Sequence, residues 1–177
     1  MIRPIALSAL ALGLTPLLGG CGLHPLYAGG AGGAVARSLA EVEVAPIEGK
    51  AGWLVGNALR DQLGATGTPR YRLTVRLDDQ ISGLGVRGDD SITRERRVLR
   101  ARYQLTDLAD NRTLLDATAG SDAGIDVVQS EYATIAAENT ALERLAKIVA
   151  DEIVTRVAIT ARNRDLAAPA GAGAAPR

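Results

Sequence analysis

The chain of 177 residues has no phenylalanine, one cysteine, one histidine and one tryptophan, with four tyrosines as its only other aromatics. A core built without phenylalanine has to come from Leu, Val, Ile and Ala, which the 47% apolar content supplies amply. A single cysteine excludes an intrachain disulfide. The lone histidine, His24, has no companions for a soft-metal site, and its place in a Gly/Ala-rich stretch suits a surface residue rather than a Ser-His-Asp triad. An excess of charge of one sign is also missing, since 20 basic side chains meet 20 acidic ones. Together with the scarcity of aromatics between basic residues, this disfavours nucleic acid as a partner. Beyond the opening segment no apolar run is long enough to span a bilayer. There is no Gly-Lys-Ser/Thr phosphate loop. Gly83, Gly85 and Gly88 match the dinucleotide-binding spacing, but Asp89, Asp90 and a strand pattern follow instead of a helix, so the segment reads as a Gly-rich turn. Asp89, Asp90, Asp107 and Asp110 read as turn carboxylates, and nothing supports paired-carboxylate catalysis. Asn111-Arg112-Thr113 fits the spacing of a glycosylation acceptor. The expectation is a non-enzyme without a metal or a dissociable cofactor.

What is present begins with Leu18-Gly19-Gly20-Cys21. Arg3 precedes an apolar run from Ile5, and two small residues stand before the only cysteine. That is a charged region, an apolar region and a small-residue cleavage site. The segment resembles a bacterial lipoprotein signal, which implies cleavage before Cys21 and acylation of its thiol and new amino group. An ordinary secretory signal with an incidental cysteine is the alternative, and it would leave a free exported thiol open to oxidation. One acyl chain binds a membrane only marginally, at about 0.8 kcal/mol per buried CH₂, whereas several hold it durably. Without residues 1–20 the chain keeps 19 basic and 20 acidic side chains, a formal charge of −1.

The expected organisation is a signal peptide over 1–20, a lipidated Cys21 with a flexible Gly/Ala tether over 21–37, one domain over 38–164, and a disordered Ala/Gly/Pro tail over 165–177. Within the domain, Ser38 to Val44 alternates as a half-buried strand that Pro46 ends. Residues 51–63 switch to helical spacing, with Gly64 as C-cap. Arg70 to Asp78 alternates cleanly and continues through Ile81. Leu84 and Val86 then change parity around Gly83, as a β-bulge would require, and Gly88-Asp89-Asp90 supplies a turn. Ile92 to Asp107 is a second long strand with Leu99, Ala101, Tyr103 and Leu105 on its apolar face. Asp110-Asn111 makes a hairpin turn, and a further strand starts at Leu115. Ser130 caps a final helix of about 30 residues, or roughly 45 Å, whose apolar stripe runs from Ile135 through Leu142, Leu145, Val149 and Ile153 to Val157. The predicted fold is therefore a two-layer α+β domain in the order β-α-β-β-β-α. About four largely antiparallel strands carry two amphipathic helices on one face.

The other sheet face carries arginines. Arg70, Arg72 and Arg76 lie on one strand and Arg94, Arg96, Arg100 and Arg102 on its neighbour, with Asp78 and Glu95 as nearby counter-charges. One reading is a solvated sheet surface. The other is an anionic ligand, because a guanidinium forks phosphate and carboxylate oxygens bidentately.

Three segments carry a family resemblance. Cys21-Gly22-Leu23-His24-Pro25-Leu26-Tyr27 resembles the mature start of lipopolysaccharide-assembly lipoproteins of the LptE type. Arg100-Ala101-Arg102-Tyr103-Gln104-Leu105 is similar to their central strand. Residues 132–138, with Leu145, Ala146 and Ile153, resemble their final helix. The resemblance covers most of residues 21–162 and implies a non-enzymatic outer-membrane lipoprotein, lipidated at Cys21. It further implies a place as plug in a large β-barrel translocon of the LptD type, assisting barrel assembly and lipopolysaccharide insertion into the outer leaflet. Gly22, not being Asp, is compatible with outer-membrane sorting. Two other classes stay open: a different outer-membrane adaptor or pilot for an envelope or secretion complex, and a lipid-anchored periplasmic hydrolase, against which the position of His24 speaks.

Overall fold

A computed structural model of the chain describes residues 33–65, 67–86 and 92–167. Seven elements follow one another. They are α1 (Ala34–Ala40), β1 (Val42–Val44), α2 (Gly49–Leu63), β2 (Tyr71–Val86), β3 (Ile92–Asp107), β4 (Thr113–Asp126) and α3 (Glu131–Ala167). The strands form one sheet in the order β1-β2-β3-β4. β1 runs parallel to β2, and the other neighbours are antiparallel. The architecture is the expected α+β one with a helix added in front.

That helix is the first correction. Residues 38–40 belong to α1, and the strand expected from Ser38 is confined to Val42–Val44. The alternation from Ser38 is real, but Val35 and Leu39 stand one helical turn apart and both are buried, and the alanines around them favour helix. The Gly/Ala composition had pointed to a tether up to residue 37; from Ala34 it is helical instead. At the far end α3 reaches Ala167 and takes in the first residues of the expected tail.

Parity organises the sheet. Tyr71 faces Asp107, and the pairing continues without a slip as far as Val86 opposite Ile92, so odd residues meet odd and even meet even. Residues of the same parity also meet across β3 and β4, from Arg94 opposite Asp126 to Leu105 opposite Leu115. Odd residues point to the helices. Leu73, Val75, Leu99, Ala101, Tyr103, Leu105 and Ala119 are all buried there, against Val55 and Leu59 of α2 and Leu142, Leu145, Val149 and Ile153 of α3; Ile125 is buried on the same side, outside this cluster. Each fully buried side chain of this size contributes about 1.5–3 kcal/mol. Tyr103 supplies the bulk that a core without phenylalanine otherwise lacks.

The β-bulge expected at Gly83 is not there, since β2 and β3 stay in register through that point. Ile81 and Leu84 are 44% and 45% exposed, on opposite faces of the sheet. At this end β2 is exposed on both faces, although Arg97 of β3 and Ile125 of β4 are still buried on the helix side, so apolar parity within β2 carries no register information there. The irregularity that does occur lies between Leu105 and Thr106, opposite the start of β4. Ile135, expected on the buried stripe of α3, is 47% exposed near the same distal end.

The expected punctuation holds elsewhere. Gly64 caps α2 in the left-handed region at φ 61° and donates its N–H to the Arg60 carbonyl. Asn111 takes φ 54° between β3 and β4, where Asp110 Oδ1 accepts the Arg112 N–H at 3.0 Å. Ser130 Oγ accepts from the Ala133 N–H at 3.4 Å at the head of α3. The turn expected over residues 88–90 lies outside the described residues.

Candidate functional site: a charge-laced sheet face

The helix-free face of the sheet is formed by even-numbered residues of β2, β3 and β4. Strict alternation brings Arg72 and Arg76 of β2 and Arg94, Arg96, Arg100 and Arg102 of β3 to this one surface, as their parity predicted. Arg70 does not join them. It precedes β2, donates its backbone N–H to the Glu41 carbonyl, and lays its guanidinium over the Tyr71 ring at 5.3 Å from the centroid. Cys21 lies outside the described residues.

Sequence reasoning overlooked the acids that share the face. Asp116, Asp122 and Asp126 have the same even parity on β4, and each meets an arginine of β3. Arg102 pairs with Asp116 at 3.2 Å, Arg96 with Asp122 at 3.0 Å and Arg94 with Asp126 at 3.3 Å. On the opposite flank Glu43 of β1 pairs with Arg72 at 3.2 Å. The signal was available in the i, i+2 spacing on either side of Leu115, Ala117 and Ala119. Glu95, expected as a counter-charge, is odd-numbered and stands opposite Ile125, away from the arginine face. Asp78 is on the face, where the Gln80 side-chain amide donates to both of its carboxylate oxygens.

The pairing sets the electrostatics. Hydrogen bonds from Arg102, then Gln104, hold the Asp116 carboxyl below the usual carboxylate range. Arg96 does the same for Asp122. The hydrogen bonds to their aspartates likewise raise the already high pKa values of Arg96 and Arg102. All these pairs are exposed and individually weak, yet they keep both signs ionised at neutral pH.

The face is therefore not a uniform basic surface. Its local cationic excess lies at the centre, where Arg76 and Arg102 are direct cross-strand neighbours. Arg100 sits between Asp78 and Gly120, and a Cβ on Gly120 would stand only 3.3 Å from Arg100 Cγ. The glycine leaves room for the arginine stem to lie across β4. Among the described residues Arg76 and Arg100 have no ion pair. With Arg102 they line an open groove of about 630 Å³. Like-charged guanidiniums held side by side disfavour one another until an anion bridges them.

A further arginine was missed on the helix side. Arg97 has odd parity within the charged run from Arg94, and it is buried. Its guanidinium forks Asp79 at 2.8 and 2.6 Å and donates to the Glu138 carbonyl at 2.9 Å. The bond to Asp79 raises its pKa against the opposing effect of burial. Its role is to fasten the hairpin to α3. Among the described residues no cluster of His, Cys, Asp or Glu could hold a metal ion, and no helix is long and apolar enough to cross a membrane.

The fold recurs in solved lipoprotein structures. A lipoprotein from Caulobacter crescentus CB15 superposes with TM-score 0.62 at 24% identity, over 72% of this chain and 96% of that one. Rare lipoprotein B from Shewanella oneidensis gives 0.55 at 12% identity, over 70% and 96%. Lipoprotein B from Nitrosomonas europaea gives 0.51 at 16% identity, over 67% and 86%. No curated protein sequence matches the chain. At these identities the likeness establishes the fold. The sequence signature of the lipopolysaccharide-assembly family LptE matches residues 39–157, from the end of α1 to well into α3. The chain thus belongs to the LptE family of lipopolysaccharide-assembly proteins.

Proposed function

We propose that the chain is a lipoprotein anchored to the outer membrane through acylated Cys21, and that it serves as the non-enzymatic plug of an LptD-type β-barrel. In that place it assists assembly of the barrel and insertion of lipopolysaccharide into the outer leaflet. Family membership over residues 39–157 carries the reading. The domain's surface chemistry supports it, since one sheet face is sealed by helices and the other displays paired charges, as a polar, water-filled barrel lumen requires. The Gly/Ala-rich residues after Cys21 serve as the tether between anchor and domain, and residues 168–177 as an Ala/Gly/Pro tail.

Within this reading the central arginines are the contact for lipopolysaccharide. Arg76 of β2 and Arg100 of β3, with Arg102 directly opposite Arg76, offer guanidinium forks to a phosphate or carboxylate of the glycolipid. Arg72, Arg94 and Arg96, held in the three flanking ion pairs, fasten the face together and contribute less.

Depletion in the native host tests the function. Depletion is expected to remove the assembled barrel and surface lipopolysaccharide, both restored by the wild-type chain and not by Cys21→Ser. Normal surface lipopolysaccharide after depletion would contradict it and favour an adaptor for another envelope complex.

A further inference from the structure

β1 covers only the first three residues of β2. The Tyr71 N–H donates to the Glu41 carbonyl at 3.1 Å, and the Ala45 N–H to the Leu73 carbonyl at 3.0 Å. Odd-numbered residues of β2 therefore aim their N–H and C=O toward β1, and even-numbered ones toward β3. Past Leu73 the same edge continues through Val75, Leu77, Asp79, Ile81 and Gly83. Among the described residues no backbone hydrogen bond meets it there.

Of the devices that discourage strand addition the edge has an inward-pointing charge, Asp79, but Arg97 forks and neutralises it. The edge contains no proline or lysine, and it runs without a slip against β3. The opposite edge of the sheet is different. α3 packs along β4, and Glu152 Oε2 accepts the Gly120 N–H at 3.4 Å.

Side chains along the open edge define what would fit. Glu43 of β1 answers Arg72 on the charged face. Arg76, four residues further on with the same parity, has no ion pair among the described residues. On the helix side the edge presents the half-buried Leu77 and the exposed Ile81. A strand continuing the line of β1 would place an acidic residue against Arg76 and apolar residues beside Leu77 and Ile81.

We propose that Val75–Gly83 is a strand-addition site, and that its occupant is an extended segment of the barrel protein with alternating apolar and polar residues and an acid opposite Arg76. The proposal rests on the barrel partnership above. Main-chain hydrogen bonds supply the attachment, and the alternating side chains supply the register.

The test uses the full-length lipidated chain purified with its barrel from outer membrane in detergent. Gln80→Cys, carrying a thiol-reactive photocross-linker, reports what lies along the edge. Ile81→Pro removes one outward N–H, and proline is tolerated on an edge strand. Arg76→Glu reverses the charge at an exposed position and serves as the second variant if the proline chain fails to melt cooperatively. The expected result is one adduct, mapped to a single extended barrel segment. Either folded variant lowers the adduct and the retained barrel at least tenfold. Adducts to a second copy of the chain, or wild-type adduct and barrel levels in both folded variants, would overturn the site while leaving the partnership intact. A wild-type chain that brings down no barrel would overturn the partnership, and the site with it.

Discussion

Gly52 shows how much one hydrogen atom can decide. A Cβ at this position of α2 would lie 2.6 Å from the Ile47 carbonyl oxygen and 2.7 Å from its carbon. Backbone cannot swing aside as a side chain can, so the loop that brings the chain from β1 into α2 has to move. Gly52→Ala therefore costs about 1–3 kcal/mol, the usual range for overpacking, even though alanine favours helix. Urea denaturation checks it, and a stability equal to wild type would contradict the packing. Asp116 and Asp122 give a second prediction. Their carboxyls titrate below the ordinary range because Arg102 and Arg96 bond to the charged forms. A depressed folded-state pKa contributes stability above the unfolded value, near pH 4, and this contribution is lost as pH falls through the folded value. Side-chain NMR titration then places both carboxyls below the ordinary aspartate range, and a value at or above that range for either would contradict its pairing.

The hairpin of β2 and β3 depends on a fastening that its apolar pattern does not reveal. Arg97 joins Asp79 within the hairpin and the Glu138 carbonyl on α3. Arg97→Ala leaves a partly buried carboxylate and a carbonyl without their donor, a loss of about 2–3 kcal/mol. Amide exchange should rise most in residues 77–84 and 94–99, while core positions such as Tyr103 and Leu105 stay protected. Uniform acceleration across the sheet, or none, would contradict a local fastening. Arg102→Ala, which breaks an exposed pair, should change stability far less. The same region marks the limit of what the sequence discloses. Where helices cover the sheet, period-two patterns in β2, β3 and β4 gave strands, faces and hairpin turn correctly, because burial enforces parity. At the distal end of β2, exposed on both faces, nothing enforces it, and Leu84 suggested a bulge that the register does not contain. In α1, strong local helix preference competed with a short alternating pattern, and the helix prevailed up to Ala40. Six of the seven arginines were legible as one surface by parity alone. Their pairing with Asp116, Asp122 and Asp126 was not, because it depends on which strand lies next to β3 and in what register.

As a whole molecule the domain separates its tasks by layer. The helix layer and the odd-numbered sheet residues form a core of Leu, Val, Ile, Ala and one buried tyrosine. The even-numbered face is left for water and charge. Near-neutral overall charge with locally paired charges suits a protein enclosed by a polar partner better than one that binds a polyanion by bulk attraction. For the central arginines, the double variant Arg76→Glu/Arg100→Glu should weaken lipopolysaccharide binding by at least tenfold while leaving the melting transition cooperative. Unchanged binding by the folded variant would contradict their role. The most direct measurement of the central claim is affinity purification of the tagged, lipidated chain from detergent-solubilised outer membrane, with the co-purifying proteins quantified. The account predicts an LptD-type β-barrel in equimolar amount. Recovery of the chain alone, or with a different complex, would contradict it.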